Sequence, residues 1–152
     1  MIPKHILTNI MIPKHILTNI IAYPSVSFPI NSPAITYSRV LENDLTYLDR
    51  QERCIKKWLE KKNIDIFKNI KEIDYNNLQT SLKNSLENSS DKTLIVFNAN
   101  RLSSNLTNFN DIYNICEKNR HHIGIVNIDH IFDYRIKHNY NILLKLIVED
   151  NF

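Results

Sequence analysis

From residue 34 to residue 128 short apolar runs alternate with stretches of helical periodicity, and no other feature narrows the fold so far. The run Ala34–Val40 reads as a first strand. Asn43 or Asp44 can cap a helix reaching about Lys62, because Leu45, Leu48, Ile55, Trp58 and Leu59 recur on one helical face. "NIDIF" at 63–67 reads as a second, short strand, and Leu78, Leu82 and Leu86 mark a polar helix with a thin apolar stripe. "TLIVF" at 93–97 is an unbroken apolar run, the pattern of a strand covered on both faces. Ser103 or Ser104 can cap the next helix, with Leu106, Phe109, Tyr113 and Cys116 on its apolar face, and "HIGIVNI" at 122–128 reads as a fourth strand. The order β-α-β-α-β-α-β predicts an α/β fold, a three-layer and mostly parallel sheet with right-handed crossovers. The C-terminal "YRIKHNYNILLKLIVEDNF" fits a helix through Ile136, Tyr140, Leu143, Leu144 and Ile147, or a fifth strand through "NILLKLIV"; the helix is favoured.

Residues 1–33 follow a different rule. "MIPKHILTNI" at 1–10 recurs unchanged at 11–20, and all five prolines fall at Pro3, Pro13, Pro24, Pro29 and Pro33. Proline biases its predecessor toward extended backbone, so an extended leader over 1–33 and one domain over 34–152 are expected. Gly124 is the only glycine, which excludes a glycine-rich phosphate cradle. The net charge of +3 permits contact with nucleic acid without arguing for it. Cys54 and Cys116 lack metal-type spacing and read as buried, reduced thiols. With no apolar run of about 18 residues and no signal-peptide pattern, a soluble, intracellular protein of cytoplasm or nucleus is expected, with no membrane partner. His121, His122, His130 and His138 show no ligand-type clustering and read as surface or loop residues; no metal and no cofactor is implied.

In a parallel α/β sheet ligands bind beyond the carboxyl ends of the strands. Two segments reach that edge, "YSRVLEND" after the first strand and "FNANRLSSNL" after the third, and each brings one arginine, Arg39 and Arg101. Either alone reads as a surface arginine satisfied by a carboxylate or by helix carbonyls. The pair points to an anion site, because guanidinium groups match phosphate oxygens bidentately. Gln51 lies between Leu48 and Ile55 on the apolar face of the first helix, where a buried amide needs a partner.

These residues carry a resemblance. Tyr37-Ser38-Arg39-Val40, followed by Leu48-Asp49-Arg50-Gln51, resembles the opening motif of the serine recombinase (resolvase/invertase) catalytic domain, commonly Y-x-R-V-S and then a helix bearing E/D-x-Q. "TLIVFNANRLSSNLTNF" resembles that family's later motif, an apolar strand running into D-R-L-x-R and a helix. The resemblance spans about residues 34–130. It implies DNA recombination and integration of the kind carried by mobile elements: a serine attacks a DNA phosphodiester, forming a 5′-phosphoserine link, while arginines hold the phosphate. By this resemblance Arg39, Gln51 and Arg101 are the phosphate-binding residues.

The departures bear on activity. Leu41 occupies the nucleophile position, Asn100 replaces the second-motif aspartate and Ser104 its second arginine; "KNIKEIDYNN" at 68–77 offers no counterpart to the family's mobile loop and further arginine. Ser38 alternates with Arg39 along the strand and points to the opposite face, while Ser103 and Ser104 read as helix caps. No catalytic residue is then intact, and a degenerate, inactive recombinase domain is expected. The family's helix-turn-helix domain usually follows a long C-terminal helix, and none is expected within the residues to Phe152. The partners implied are DNA, held weakly and without sequence preference, and either a second copy or an intact recombinase in a dimer. Two other readings stand beside this one: a non-catalytic α/β interaction or dimerisation domain, and a receiver-like signalling module. The second needs an acceptor aspartate where Asn98 and Asn100 stand, and only Glu42 and Asp44 offer its acidic cluster.

Overall fold

The computed structural model of the chain describes residues 32–150, so all but the last two residues of the expected leader lie outside it. Five strands, β1 (Ala34–Val40), β2 (Ile66–Ile73), β3 (Thr93–Val96), β4 (His122–Ile125) and β5 (His130–Phe132), form one sheet in the order β2-β1-β3-β4-β5. The first three pairings are parallel and β4–β5 is antiparallel. The helices are α1 (Leu45–Lys62), α2 (Thr80–Glu87), the single turn α3 (Ala99–Leu102), α4 (Leu106–Lys118) and α5 (His138–Asp150). The expected α/β fold with a mostly parallel sheet is what the chain adopts. Among the described residues no helix is long and apolar enough to cross a membrane.

Alternation along β1 divides the core. Ile35 and Tyr37 pack with Leu82 and Leu86 of α2, Phe109, Ile112 and Tyr113 of α4, and Leu143 and Leu146 of α5. Ala34 lies on the other face with Ile55, Trp58 and Leu59 of α1, Ile95 of β3 and Ile131 of β5. Burying each such side chain stabilises the fold by about 1.5–3 kcal/mol. Gly124 lies on this second face, where a Cβ would sit 2.5 Å from Ile95 Cδ1 and 3.6 Å from the Trp58 ring. Its missing side chain lets Trp58 close on the sheet. Left-handed backbone falls to Asn63, Asn77, Gln79, Asp91, Arg120 and Asp129 instead of glycine, four of them Asn or Asp, which tolerate that region best.

Several expectations need revision. The second strand starts at Ile66 and runs on to Ile73, so most of "KNIKEIDYNN" is strand; its charges face solvent on an edge and mask the apolar signal. "HIGIVNI" is strand only to Ile125, then a 3₁₀ turn over Val126–Ile128 reverses the chain into the short β5. Asp44 caps α1 by accepting from the Tyr47 N–H at 3.1 Å, but Asn105, rather than either serine, caps α4, accepting from the Asn108 N–H at 2.8 Å. Leu45, Leu78 and Leu106 sit at or just before helix starts and remain exposed. His121 and His122 are buried, not surface residues, because they open a central strand; Cys116 is buried and Cys54 half-buried, both free thiols. The favoured C-terminal helix is present as α5.

Candidate functional site at the carboxyl ends of β1 and β3

The order 2-1-3-4-5 reverses direction between β1 and β3, the switch point where doubly wound sheets open a crevice. Here β3 stops early. Its last residue, Val96, pairs with Tyr37, so β1 continues three residues beyond its neighbour. The Val40 carbonyl accepts from the Asp74 N–H at 2.8 Å on the β2 side, which turns the backbone groups of Arg39 toward the place β3 has vacated. Unpaired there, both groups would cost about 1–3 kcal/mol each.

Gln51 fills the gap. Carried inward on α1 between Leu48 and Ile55, its Oε1 accepts from the Arg39 N–H at 3.1 Å and its Nε2 donates to the Arg39 carbonyl at 2.8 Å. One carboxamide thus replaces a strand neighbour. The same carbonyl accepts from Arg101 Nη1 at 3.0 Å.

The Arg39 side chain projects onto the α2–α3 side of the sheet and is 0% exposed. Its Nη2 donates to the Asn100 carbonyl at 2.7 Å, its Nε to the Arg101 carbonyl at 3.3 Å, and its Nη1 to Asn77 Oδ1 at 3.1 Å. Asp74 Oδ2 lies 3.6 Å from Nη1. Burial pushes the Arg39 guanidinium below its ordinary value, and the nearby Arg101 charge acts the same way, while Asp74 and Glu72 oppose both.

The loop between β2 and α2 is built around this charge. Asp74 Oδ1 accepts from the backbone N–H groups of Leu78 and Gln79 at 3.1 and 3.2 Å. Asn77, in left-handed backbone, also accepts from the Ser104 hydroxyl at 2.9 Å, and its carbonyl accepts from Asn108 Nδ2 at 2.6 Å. Buried Gln79 donates from Nε2 to the Leu102 carbonyl at 2.7 Å. Strand β1, the β2–α2 loop and α3 therefore meet on one guanidinium, and Asn77 links it to the start of α4. Next along β1, the Tyr37 hydroxyl donates to Glu72 Oε1 at 2.6 Å; burial, and then that carboxylate, raise its pKa far above the ordinary tyrosine value.

Arg39, Gln51 and Arg101 thus come together at the strand ends, but they differ in what they present. Arg39 and Gln51 are enclosed. Arg101 is half-buried: its Nε donates to Asn100 Oδ1 at 2.9 Å and its guanidinium carbon stands 5.5 Å from the Tyr47 ring centroid. Leu41 is 40% exposed just past the strand. Ser38 is fully enclosed on the opposite face from Arg39, with no hydrogen-bond partner for its hydroxyl among the described residues. Ser103 is buried and donates to the Asn105 carbonyl at 3.0 Å. Among the described residues no group of three His, Cys, Asp or Glu is placed to hold a metal ion.

Sequence reasoning missed Asp74, Asn77 and Gln79. The signal was "DYNN" at 74–77, a cluster of residues that bond their own turns, and it is too common in loops to announce Arg39 as a partner 38 positions before Asn77. No family model matches the chain, and no curated protein matches it.

Proposed function

We propose that this chain is a non-catalytic relative of the serine recombinase catalytic domain, in which the phosphate-handling end of the sheet has become a structural joint. The lineage is supported by the sheet architecture and by the meeting of Arg39, Gln51 and Arg101 where the motifs require it. One observation carries the loss of chemistry: the Arg39 guanidinium is wholly enclosed, engaged by two carbonyls, Asn77 and Asp74. A group that stabilises a phosphoryl transition state must face the phosphorus, and this one faces the protein. The accessible residue at the nucleophile position is Leu41, whose alkyl side chain cannot attack. What remains is an interaction domain, with Arg101 as the accessible cation of the old site. DNA binding through so few charges is weak and salt-dependent, with Kd of roughly 10⁻⁴–10⁻⁶ M.

Incubation with supercoiled DNA tests this reading. The natural chain gives neither relaxed product nor protein attached to a 5′ end. Leu41→Ser restores no attachment, since Arg39 stays engaged and Ser104 supplies no second arginine. Covalent complex from the natural chain, or from Leu41→Ser alone, overturns it.

A further inference from the structure

The sheet ends on two edges of different quality. β5 has three residues, two of them buried, whereas β2 has eight and most are exposed, including Ile66 and Phe67, the latter 55% exposed. Among the described residues no strand pairs with the outer side of β2. Because Val40 binds Asp74 and pairs in register with Ile73, alternation turns the N–H and C=O groups of Asn69, Lys71 and Ile73 outward. An open groove of about 420 Å³ runs along this edge, lined by Lys68, Asn69, Ile70 and Lys71 of β2 and by Ser81, Asn84 and Ser85 of α2.

We propose that the outer edge of β2 pairs antiparallel with the same edge of a second copy of this chain, extending the sheet across a two-fold axis at Ile70. The charge pattern selects that register. With the axis at Ile70, Lys68 of each copy faces Glu72 of the other, Asn69 faces Lys71, and Phe67 faces Ile73. Asn69 and Lys71 then form the hydrogen-bonded pairs, the role their outward backbone groups require. Glu72 keeps its bonds from the Tyr37 hydroxyl and the Ser81 N–H, and an ionised carboxylate has acceptor sites left for a lysine. Lys71 brings its own counter-charges, Asp49 at 2.8 Å and Glu52 at 3.4 Å. The neighbouring registers fail: an axis at Lys71 opposes Lys71 to itself and Ile70 to Glu72, and an axis at Asn69 opposes Phe67 to Lys71. Exposed edge strands usually carry charges that forbid such pairing. Here they disfavour the registers on either side of the one at Ile70. The inference goes beyond the lineage argument and stands whether or not the fold descends from a recombinase.

Sedimentation equilibrium of the full chain, with amide hydrogen exchange, tests it. The natural chain is a dimer, with the Asn69, Lys71 and Ile73 amides protected. Lys71→Pro removes an outward N–H at an edge position that tolerates proline, and it abolishes the dimer while leaving the far-ultraviolet dichroism unchanged. Lys68→Glu, a change at an exposed side chain, sets like charges opposite each other twice per dimer and raises the dimer Kd roughly tenfold or more. A natural chain that stays monomeric at high micromolar concentration overturns the proposal. So does a dimer of undiminished affinity in Lys68→Glu, or one that survives in folded Lys71→Pro.

Discussion

Arg39 and Glu72 are register partners on adjacent strands, yet the regions they belong to handle charge in opposite ways. At the carboxyl end of β1 a lone guanidinium is sealed inside the protein and bonded from four directions. Along β2, Lys68 and Lys71 stay exposed to solvent, and Lys71 meets Asp49 and Glu52 at the surface. The first arrangement is rigid and strongly coupled to folding, because an unpaired buried ion is so costly; the second is nearly neutral for folding and free to meet another molecule. A charge at a strand end in the sequence does not announce which of these it will be. Burial decides it.

If that contrast holds, Arg39→Met gives the largest effect. It leaves the buried Asp74 carboxylate without its cation and takes a donor from Asn77 and two carbonyls, and should lower unfolding stability by about 3–5 kcal/mol in urea titration. Gln51→Leu keeps the helix face apolar but strips both bonds from the Arg39 backbone, with an expected loss of about 2–3 kcal/mol. Arg39→Met within 1 kcal/mol of the natural chain would break the comparison.

Acidity sharpens it by striking a third place. Burial is the main cause that lowers the pKa values of His121, His122 and His130, all near β4 and β5. The buried His121 ring accepts the Lys92 N–H on Nδ1 at 3.1 Å and lies 2.9 Å from the Leu86 carbonyl through Nε2, so a second ring proton finds no acceptor. The unfolded chain therefore binds protons first. Stability is complete above the ordinary histidine value near 6.5 and falls as pH drops below it, by up to about 1.4 kcal/mol per pH unit for each histidine. Urea midpoints at pH 7.5 and 5.5 read this directly, and hydrogen exchange should place the loosening at β4 rather than around Arg39. Smallest of all, Lys68→Ala should shift monomer stability by less than about 0.5 kcal/mol.

Much of this was legible in the sequence. Apolar periodicity located α1, α4 and the buried strands, and the position of Gln51 between Leu48 and Ile55 foretold a buried amide seeking a partner. The meeting of Arg39 with Arg101 followed from placing both at the ends of neighbouring strands. The enclosure of Arg39 was not legible, because its partners are backbone carbonyls and loop residues around Asp74 whose positions only the fold defines. Nor was the length of β2, since an edge strand one face of which is wet shows lysine and asparagine where a buried strand shows valine. His121 and His122 hid for the converse reason: buried polar rings look like surface residues until their backbone partners are known.

The most direct test of the central claim follows the arginine side chains themselves. In a nitrogen-15 spectrum of the chain titrated with duplex DNA at low salt, the Arg39 Nε–H should exchange slowly with solvent and keep its position throughout, while the Arg101 Nε–H moves. An Arg39 signal that exchanges as fast as a surface arginine's, or that shifts with DNA as far as Arg101's does, would contradict the account.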